Sequence, residues 1–331
     1  MTIRVPEQQS VDAKRAEANR PFSGDHIFQD PKLISLHRER SNAILADLKT
    51  LEEKHITFNP FLEIGAGGVQ RSAALINNYP ADGVATDISL KSMQDAPYVL
   101  SLLNYSQMPE LICCDAHHLP FLPNTFLFVF AYQTLHHFEN PIPVVSECYR
   151  VLGKGGYFFF NEEPMDSSFR RLLRGNRMLS HPPTNIQRLG FRLGVQKVFW
   201  DDGAHERSLG ITEARFDLNL WRRALQDFVI VDIEVNRKLR IHSDLEKPTV
   251  NGILSSVIGG NVKGLCLKAE GEVAINNFRE RMICLDCNSA RLSQVEDKQL
   301  LLCKNCSRSY PITDGIIRML PKELEDELYP N

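Results

Sequence analysis

Short apolar segments alternate with amphipathic segments through the first half of the chain. The apolar segments predict β-strands at 61–65, 83–87, 111–115, 126–132 and 156–162. Segments with helical periodicity predict helices at 31–51, 69–79, 88–103 and 143–152. Apolar strands alternating with helices are typical of a parallel sheet covered on both faces. With two later strands at 228–235 and 262–269, we expect an α/β, Rossmann-like, doubly wound and mostly parallel seven-stranded sheet.

The same pattern predicts the domain organisation. Residues 1–30 have little apolar periodicity, so we expect a loose N-terminal leader there. Residues 31–275 form the predicted α/β domain, which is interrupted at 165–225. Residues 280–331 differ in character, with paired cysteines and an acidic tail, and predict a second, small domain.

The composition excludes several classes of protein. The 331 residues are 43% hydrophobic and 24% charged, which is ordinary for a globular protein. The balance of 38 basic against 41 acidic residues argues against a dedicated nucleic-acid binder. The N-terminus has no apolar signal region, and no apolar run approaches the roughly 20 residues of a membrane span. We therefore expect a cytoplasmic protein, either free or peripheral at a membrane surface.

Glycines and carboxylates follow successive predicted strands. Glu63 begins a run with Gly65, Ala66, Gly67 and Gly68 between the first strand and a helix, where glycine lets the backbone approach a ligand. Asp87 follows the second strand and could bind both ribose hydroxyls of a nucleoside. Asp115 follows the third and could accept from an adenine amino group. Each aspartate could instead cap a helix, but three such features in series favour a nucleoside site.

The order of motifs over residues 60–165 resembles the class I S-adenosylmethionine-dependent methyltransferases, in particular the UbiE-like members that act on small molecules. The resemblance rests on Glu63-x-Gly65-x-Gly67, on Asp87, and on three later runs. Those runs are 115–121 (DAHHLPF), 134–138 (TLHHF) and 150–156 (RVLGKGG). Val69 departs from the pattern, since many members have a third glycine there.

This resemblance implies a role for each matching residue. The backbone of Glu63, Gly65, Ala66 and Gly67 would hold the methionine part of S-adenosylmethionine. Asp87 would bind the ribose and Ile88 would pack on the adenine. The remaining cofactor contacts would come from Asp115 and Ala116 at the adenine edge and from Gln133 near the methyl sulfonium.

A methyl acceptor that is a hydroxyl or an amine must lose a proton. His136 and Glu162 are the candidate catalytic groups, because both follow strands at the expected edge of the sheet. Their neighbours His137 and Glu163 share this position. A structural turn for the histidines, and a helix cap or solvated turn for the glutamates, are the alternatives.

The interruption at 165–225 is the expected acceptor-recognition region, because insertions on a rigid scaffold commonly carry specificity. Four arginines there fall three and four residues apart, at Arg170, Arg171, Arg174 and Arg177. They indicate an anionic partner, such as a phosphate-bearing substrate, RNA or an anionic membrane, or else a solvated helix face.

Four of the eight cysteines have metal-ligand spacing. Two Cys-x2-Cys pairs, separated by fifteen residues, are typical of a structural zinc site with four thiolates: Cys284, Cys287, Cys303 and Cys306. The other four have no such spacing and predict buried thiols. Together with the run 310–315 (YPITDG), the paired cysteines resemble the small zinc-ribbon activator subunits of RNA and protein methyltransferases.

The expected function is therefore methyl transfer from S-adenosylmethionine, by in-line displacement, to a small-molecule or glycan-type acceptor. Phosphate-bearing and lipid-linked molecules are among the candidate acceptors. One alternative is an RNA methyltransferase with a fused activator-like module, which the net charge of -3 disfavours. The other is a non-catalytic scaffold with the methyltransferase fold, which the intact carboxylate set disfavours.

Overall fold

The computed structural model describes residues 10–19, 31–166, 209–235, 239–241, 250, 253–254, 257, 259–274 and 277–330. Eight helices in these ranges are α1 (Val11–Ala18), α2 (Pro31–Glu52), α3 (Gln70–Asn78), α4 (Leu90–Gln94), α5 (Ala96–Leu103), α6 (Ile142–Val151), α7 (Leu218–Ala224) and α8 (Lys322–Leu328). The first eight strands are β1 (Phe61–Ile64), β2 (Gly83–Asp87), β3 (Glu110–Cys114), β4 (Phe126–Tyr132), β5 (Leu152–Met165), β6 (Val229–Val235), β7 (Leu239–Ile241) and β8 (Gly260–Leu267). The last four are β9 (Leu292–Val295), β10 (Leu300–Cys303), β11 (Ser309–Thr313) and β12 (Ile316–Met319).

These strands form one sheet in the order β7-β6-β8-β5-β4-β1-β2-β3-β12-β11-β10-β9. Strands β3, β2, β1, β4 and β5 are parallel, as the alternating pattern predicts. The later strands β8 and β6 are antiparallel to their neighbours. The predicted number of seven strands is wrong, because the sheet has twelve. Strand β7 lengthens one edge, and four strands of the C-terminal segment lengthen the other.

Helices cover the parallel part of the sheet on both faces. On one face α2 packs with α3 and α5, and on the other α6 packs with α7. Aromatic side chains fill both layers: Phe128 stacks on Phe159 with ring centroids 6.4 Å apart, and Phe160 stacks on Trp221 at 4.8 Å. The expected helix at 88–103 is two helices that meet at Asp95. Pro97 explains this break, since it lacks the N–H that would continue the first helix.

The C-terminal segment docks on the α/β domain through its backbone. Strand β12 pairs in parallel with β3, with Ile317 opposite Ile112 and Met319 opposite Cys114. Strands β9, β10 and β11 continue from it as antiparallel neighbours. The small domain predicted over 280–331 is therefore an extension of the main sheet, and the two parts share one set of backbone hydrogen bonds.

The N-terminal leader is more ordered than its sequence pattern predicts. Val11–Ala18 is a helix whose first turn is capped by Ser10, which accepts from the Ala13 N–H. It packs against α8, where Ala18 joins a buried cluster with Leu320, Leu324 and Leu328. The prediction of a loose leader is wrong for these residues, since their apolar partners lie some 300 positions away along the chain.

In the part of the chain that the structure describes, no helix has the length and apolar character needed to cross a membrane.

Candidate cofactor and acceptor site

A cavity of about 280 Å³ opens at the carboxyl ends of the parallel strands β1 to β4. Ligands bind at this edge in open α/β sheets, because the strand order reverses there and the following loops diverge. Residues from the glycine turn, from the ends of β2 and β3 and from the turn after β4 line it. Side chains from α1 and α2, and one from the end of the 165–225 segment, complete the wall.

The glycine turn is built as its composition predicts. Gly65 has φ +66°, and a Cβ there would lie 2.3 Å from the Thr134 side chain, so only glycine fits. Gly67 has φ +52° and donates its N–H to Asp87. Val69 also has a left-handed φ of +65°, which is unusual for a β-branched residue. The loop therefore follows the path that a third glycine would favour, with valine in its place.

Asp87 fastens the glycine turn to the next strand. Its Oδ2 accepts from Gly67 N at 2.8 Å and its Oδ1 from Ser89 N at 2.8 Å. Asp87 and Ile88 both line the cavity. The Ile88 carbonyl accepts from the hydroxyl of Tyr329, just beyond α8, at 2.7 Å. The C-terminal segment thus holds the loop that follows β2.

Asp115 already has partners on both oxygens. Lys14 of α1 contacts Oδ2 at 2.7 Å in a pair whose side chains are 5% and 2% exposed. His117 approaches Oδ1 with its backbone N–H at 3.0 Å and its Nδ1 at 2.8 Å. Burial alone would raise the pKa of Asp115, but His117 and Lys14 together hold it well below its usual range. A ligand amine at this carboxylate must therefore compete with Lys14. Ala116, the next residue, also lines the cavity.

Two arginines line the cavity near the glycine turn. Arg71 of α3 is 4% exposed, and its guanidinium lies 4.7 Å from the centre of the Tyr132 ring. Its Nε and Nη2 have no hydrogen-bond partner among the described residues. Arg40 of α2 lies on the same wall. A buried guanidinium with unused donors is a site for an anionic group, such as a carboxylate.

Glu63 lies beneath the turn, outside the cavity wall. It is 1% exposed, and its Oε2 accepts from Ser72 N at 3.0 Å. Burial raises the pKa of Glu63 to about 7, although the charge of Arg71 and the hydrogen bonds from Ser72 act in the opposite direction. The side chain supports the start of α3, and a direct contact with the methionine part stays a prediction.

The residues after β4 and β5 separate into two groups. Gln133 lines the cavity and donates from Nε2 to Glu162 Oε2 at 2.7 Å. Glu162 also lies 3.6 Å from Arg71 Nη2, and it is not part of the cavity wall. Of the two candidate catalytic groups, the structure brings only His136 to the cavity.

His136 is held by a buried carboxylate. Glu163 Oε2 lies 2.8 Å from His136 Nδ1, and the two Glu163 oxygens accept from the backbone N–H groups of Thr134, Leu135 and His136. Burial would raise the pKa of Glu163, but His136 and these N–H groups lower it. An ionised Glu163 accepts a hydrogen bond from Nδ1–H, and in the corresponding neutral tautomer Nε2 carries the lone pair.

Two more glutamates approach the histidines. His136 Nε2 and His137 Nδ1 each lie 3.8 Å from Glu213 Oε1, and His137 Nδ1 lies 3.2 Å from Glu17 Oε1. Glu213 returns to the site from the 165–225 segment, where Ala214 N donates to the His136 carbonyl at 2.7 Å. This part of the predicted acceptor-recognition region is at the cavity. Arg170, Arg171, Arg174 and Arg177 lie outside the described residues.

The four spaced cysteines meet at one point. Their sulfur atoms lie within 4.8 Å of one another, with Cys284 Sγ 3.5 Å from Cys306 Sγ and Cys287 Sγ 3.6 Å from Cys303 Sγ. Four thiolates at about 2.3 Å from a tetrahedral zinc ion would be about 3.8 Å apart. The set therefore fits a metal ion after small side-chain adjustments. The other four cysteines are buried, as the sequence predicts.

Several residues of the cavity wall have no signal in the sequence. Glu17 and Arg40 belong to helices that are distant along the chain, and Glu213 follows a segment with no recognisable motif. Arg71 carried a weak signal, since it lies in the first turn of the helix after the glycine turn. Position near a helix N-terminus is a reason to examine a cation there for anion binding.

Comparison with known proteins agrees with this geometry. Residues 62–160, roughly a third of the chain, match the family model described as a methyltransferase domain. No curated protein matches the chain.

Three solved structures illustrate the similarity in fold. A provisionally named methyltransferase of Bacillus halodurans is 18% identical, with 67% of this chain and 98% of that chain covered and a TM-score of 0.43. A chain from the complex of the Haloferax volcanii Trm112 methyltransferase activator with its provisionally named methyltransferase is 14% identical, with coverage of 80% and 99% and a TM-score of 0.43. The [4+2]-cyclase SpnF is 18% identical, with coverage of 64% and 75% and a TM-score of 0.42. These identities and TM-scores describe a general similarity in fold and do not indicate the activity of this chain.

Proposed function

We propose that the chain, an S-adenosylmethionine-dependent methyltransferase whose methyltransferase domain spans residues 62–160, methylates a small-molecule or glycan-type acceptor. The reaction would take place in the cavity at the carboxyl ends of β1 to β4. The observation that carries this proposal is the buried Arg71 guanidinium, which makes no hydrogen bond through Nε or Nη2 among the described residues and has Glu162 at 3.6 Å from Nη2. It lies on the same wall as the glycine turn and Asp87. The amino-acid carboxylate of the cofactor would bind Arg71, and the ribose of the cofactor would bind Asp87.

The cofactor end is assigned from the donors and acceptors that face the cavity. Arg71, with Arg40 nearby, would bind the methionine carboxylate, and Asp87 would accept from the ribose hydroxyls. Ile88 and Ala116 would contact the adenine. Gln133, after β4, would lie beside the sulfonium, whose methyl group is already activated for displacement when the cofactor is bound.

The acceptor end is the part of the cavity beyond Gln133. His136, His137, Phe138 and Glu213 line it, so an acceptor there would meet imidazole, aromatic and carboxylate groups. Because the donor needs no further activation, these residues have to position the acceptor and lower the cost of its deprotonation. His136 is the group that would contact the acceptor atom, and Glu162 would act only through Gln133.

We further propose that the four spaced cysteines bind a structural zinc ion, and that residues 280–331 are a fused module of the activator-subunit type. A closed set of four thiolates leaves no position for a substrate, so the ion would stabilise the fold. The parallel pairing of β12 with β3 supports this role, because it fixes the strand that ends next to Asp115.

The proposed acceptor class rests on how the charged residues of the C-terminal module are paired. An RNA substrate would need an extended cationic surface, whereas Arg308 and Arg318 of the C-terminal module both pair with Glu325. We therefore propose a small-molecule or glycan-type acceptor, with phosphate-bearing and lipid-linked molecules among the candidates, and the 165–225 segment would select it.

Calorimetric titration with S-adenosylmethionine tests the cofactor assignment. We expect micromolar binding, a loss of at least tenfold in affinity for Asp87→Ala and Arg71→Met, and no change for Glu139→Gln, an exposed glutamate outside the cavity. Absence of binding at millimolar ligand would refute the proposal and favour a scaffold. Mass spectrometry of extracts incubated with isotope-labelled cofactor would then identify the acceptor. Label that appears in RNA alone would overturn the assigned class.

A further inference from the structure

The acceptor end of the cavity contains a cluster with the composition of a metal centre, separate from the four cysteines. His136, His137 and Glu213 each offer one ligand atom, and these three atoms lie within 4.8 Å of one another. Their side chains are 10%, 14% and 16% exposed. We propose that this cluster binds a divalent first-row transition-metal ion. Binding of the ion does not depend on the proposed function; only its role in methyl transfer does.

The distances suit an ion after modest movement of the side chains. A metal with bonds of about 2.1 Å to nitrogen and oxygen places neighbouring ligand atoms about 3.0 to 3.4 Å apart. The two histidine-to-Glu213 distances are both 3.8 Å, and no two of the three ligand atoms are more than 4.8 Å apart, so binding an ion needs inward movements of less than about 1 Å per ligand. Rotation of the Glu213 side chain, which is attached to a loop, could supply this contraction.

The outer contacts of His136 are those of a metal ligand. Histidine ligands generally donate their second ring N–H to a carboxylate, which fixes the tautomer and the ring orientation. Glu163 provides this contact at 2.8 Å, and it is itself 0% exposed and held by three backbone N–H groups. Nε2 of His136 is then unprotonated and on the side of Glu213.

His137 would have to change its tautomer and its hydrogen bonds in order to bind an ion. Its Nδ1 lies 3.0 Å from the Thr212 carbonyl and 3.2 Å from Glu17 Oε1, so in this geometry Nδ1 is the protonated nitrogen. On binding an ion, Nδ1 would lose this proton and the ring would take the other tautomer, with the proton on Nε2. Glu17, which approaches the same nitrogen, is within reach as a fourth ligand.

Charge favours a cation at this point. Three carboxylates, Glu17, Glu163 and Glu213, surround two imidazoles. A divalent ion beside Glu213 would be stabilised by these negative charges. Two imidazoles and a carboxylate select borderline ions such as Zn²⁺, Fe²⁺, Co²⁺ or Mn²⁺ over Mg²⁺ and Ca²⁺, which prefer oxygen ligands.

The site has open coordination positions, unlike a closed set of four thiolates. Three protein ligands leave at least one position for another group, and the cavity is on that side of the cluster. If the proposed function holds, an acceptor hydroxyl or thiol would bind there and lose its proton more easily through the Lewis acidity of the ion. The alternative is that the Glu163–His136 pair accepts this proton with no ion present.

Cobalt titration of the full-length protein, with zinc already on the cysteine site, tests the proposal. We expect elemental analysis to find two ions per chain, one zinc and one cobalt. The cobalt spectrum should show the weak visible bands of nitrogen and oxygen ligands, without the intense thiolate charge-transfer bands that exchange at the cysteines would produce. One ion per chain, or only thiolate bands, would overturn the site.

Variants separate loss of the site from loss of the fold. Glu213→Gln and His136→Gln should abolish cobalt binding, and Glu163→Gln should weaken it by tenfold to a hundredfold, as changes behind a ligand do. His118→Ala, an exposed histidine outside the cluster, should leave the cobalt affinity unchanged. Retained zinc and retained S-adenosylmethionine binding would show that each variant is folded. Cobalt affinity unaffected by Glu213→Gln would refute the assignment even if cofactor binding is confirmed.

Discussion

Glu63 provides a quantitative test of the electrostatics beneath the glycine turn. Burial raises the pKa of this carboxyl from its ordinary 4.5 to about 7. A group with a raised pKa contributes stability that is fully present below its unfolded pKa and is lost as the pH rises through the folded value. The folded protein should therefore lose stability between pH 4.5 and 7, because the charged carboxylate must then be accommodated in a buried site.

The size of the loss follows from the two pKa values. At about 1.36 kcal/mol per pKa unit, the full effect is about 3 kcal/mol, of which about 2.5 kcal/mol falls between pH 5 and pH 8.5. Glu63→Gln removes the ionisation and keeps an oxygen to accept from Ser72 N. The unfolding free energy of the variant minus that of the parent should therefore increase by about 2.5 kcal/mol as the pH rises from 5 to 8.5.

Equilibrium urea unfolding at several pH values, followed by circular dichroism, measures this difference directly. Comparison within each pH cancels other groups that titrate, including the cysteine thiols. Glu139→Gln, at an exposed glutamate, is the matched control and should show a flat difference. A flat difference for Glu63→Gln as well would mean that the carboxyl is ionised at no cost, and the argument from burial would be wrong.

Three further predictions concern the contacts around the cofactor end. Lys14→Met should tighten S-adenosylmethionine binding about fivefold in calorimetry, because an adenine amine would no longer compete with Lys14 for Asp115; weaker binding would show instead that Lys14 holds the site together. Tyr329→Phe removes hydrogen bonds to the Ile88 carbonyl and from Leu90 N, so it should cost about 1 to 3 kcal/mol of unfolding free energy and weaken cofactor binding; unchanged values for both would contradict this. Cys303→Ser, or chelation, should remove the bound metal and lower the melting temperature by several degrees; an unchanged melting temperature after confirmed metal loss would refute a structural role for the ion.

The parts of the fold that depend on local sequence were predictable. Strands β1 to β5 and their helices follow from apolar periodicity, and the glycine turn follows from a backbone that only glycine adopts at Gly65. Asp87 was identifiable because its position after β2 follows from chain order. These features depend on residues within one strand and its adjoining loop.

Other features depend on contacts between distant segments of the chain. Apolar periodicity does not indicate which segments pair with each other. The parallel pairing of β12 with β3, and with it the twelve-stranded sheet, was therefore not predicted from the sequence. Lys14 meets Asp115 across 101 positions of the chain. A lysine in a short polar segment has no sequence signal that distinguishes it from a solvated one.

The contacts of the C-terminal segment imply that the proposed metal site and the proposed cofactor site are thermodynamically linked. Strand β12 pairs with β3, which ends next to Asp115, and Tyr329 holds the loop after Asp87. Helix α1 adds a third connection, since Lys14 contacts Asp115 while Arg15 pairs with Glu327 of α8. A ligand that binds only the docked arrangement stabilises it by RT ln(1 + [L]/Kd), about 2.7 kcal/mol at a hundredfold excess over Kd. Because such coupling is reciprocal, saturating S-adenosylmethionine should raise the metal affinity measured by equilibrium competition with a chelator, and metal removal should weaken cofactor binding by the same factor.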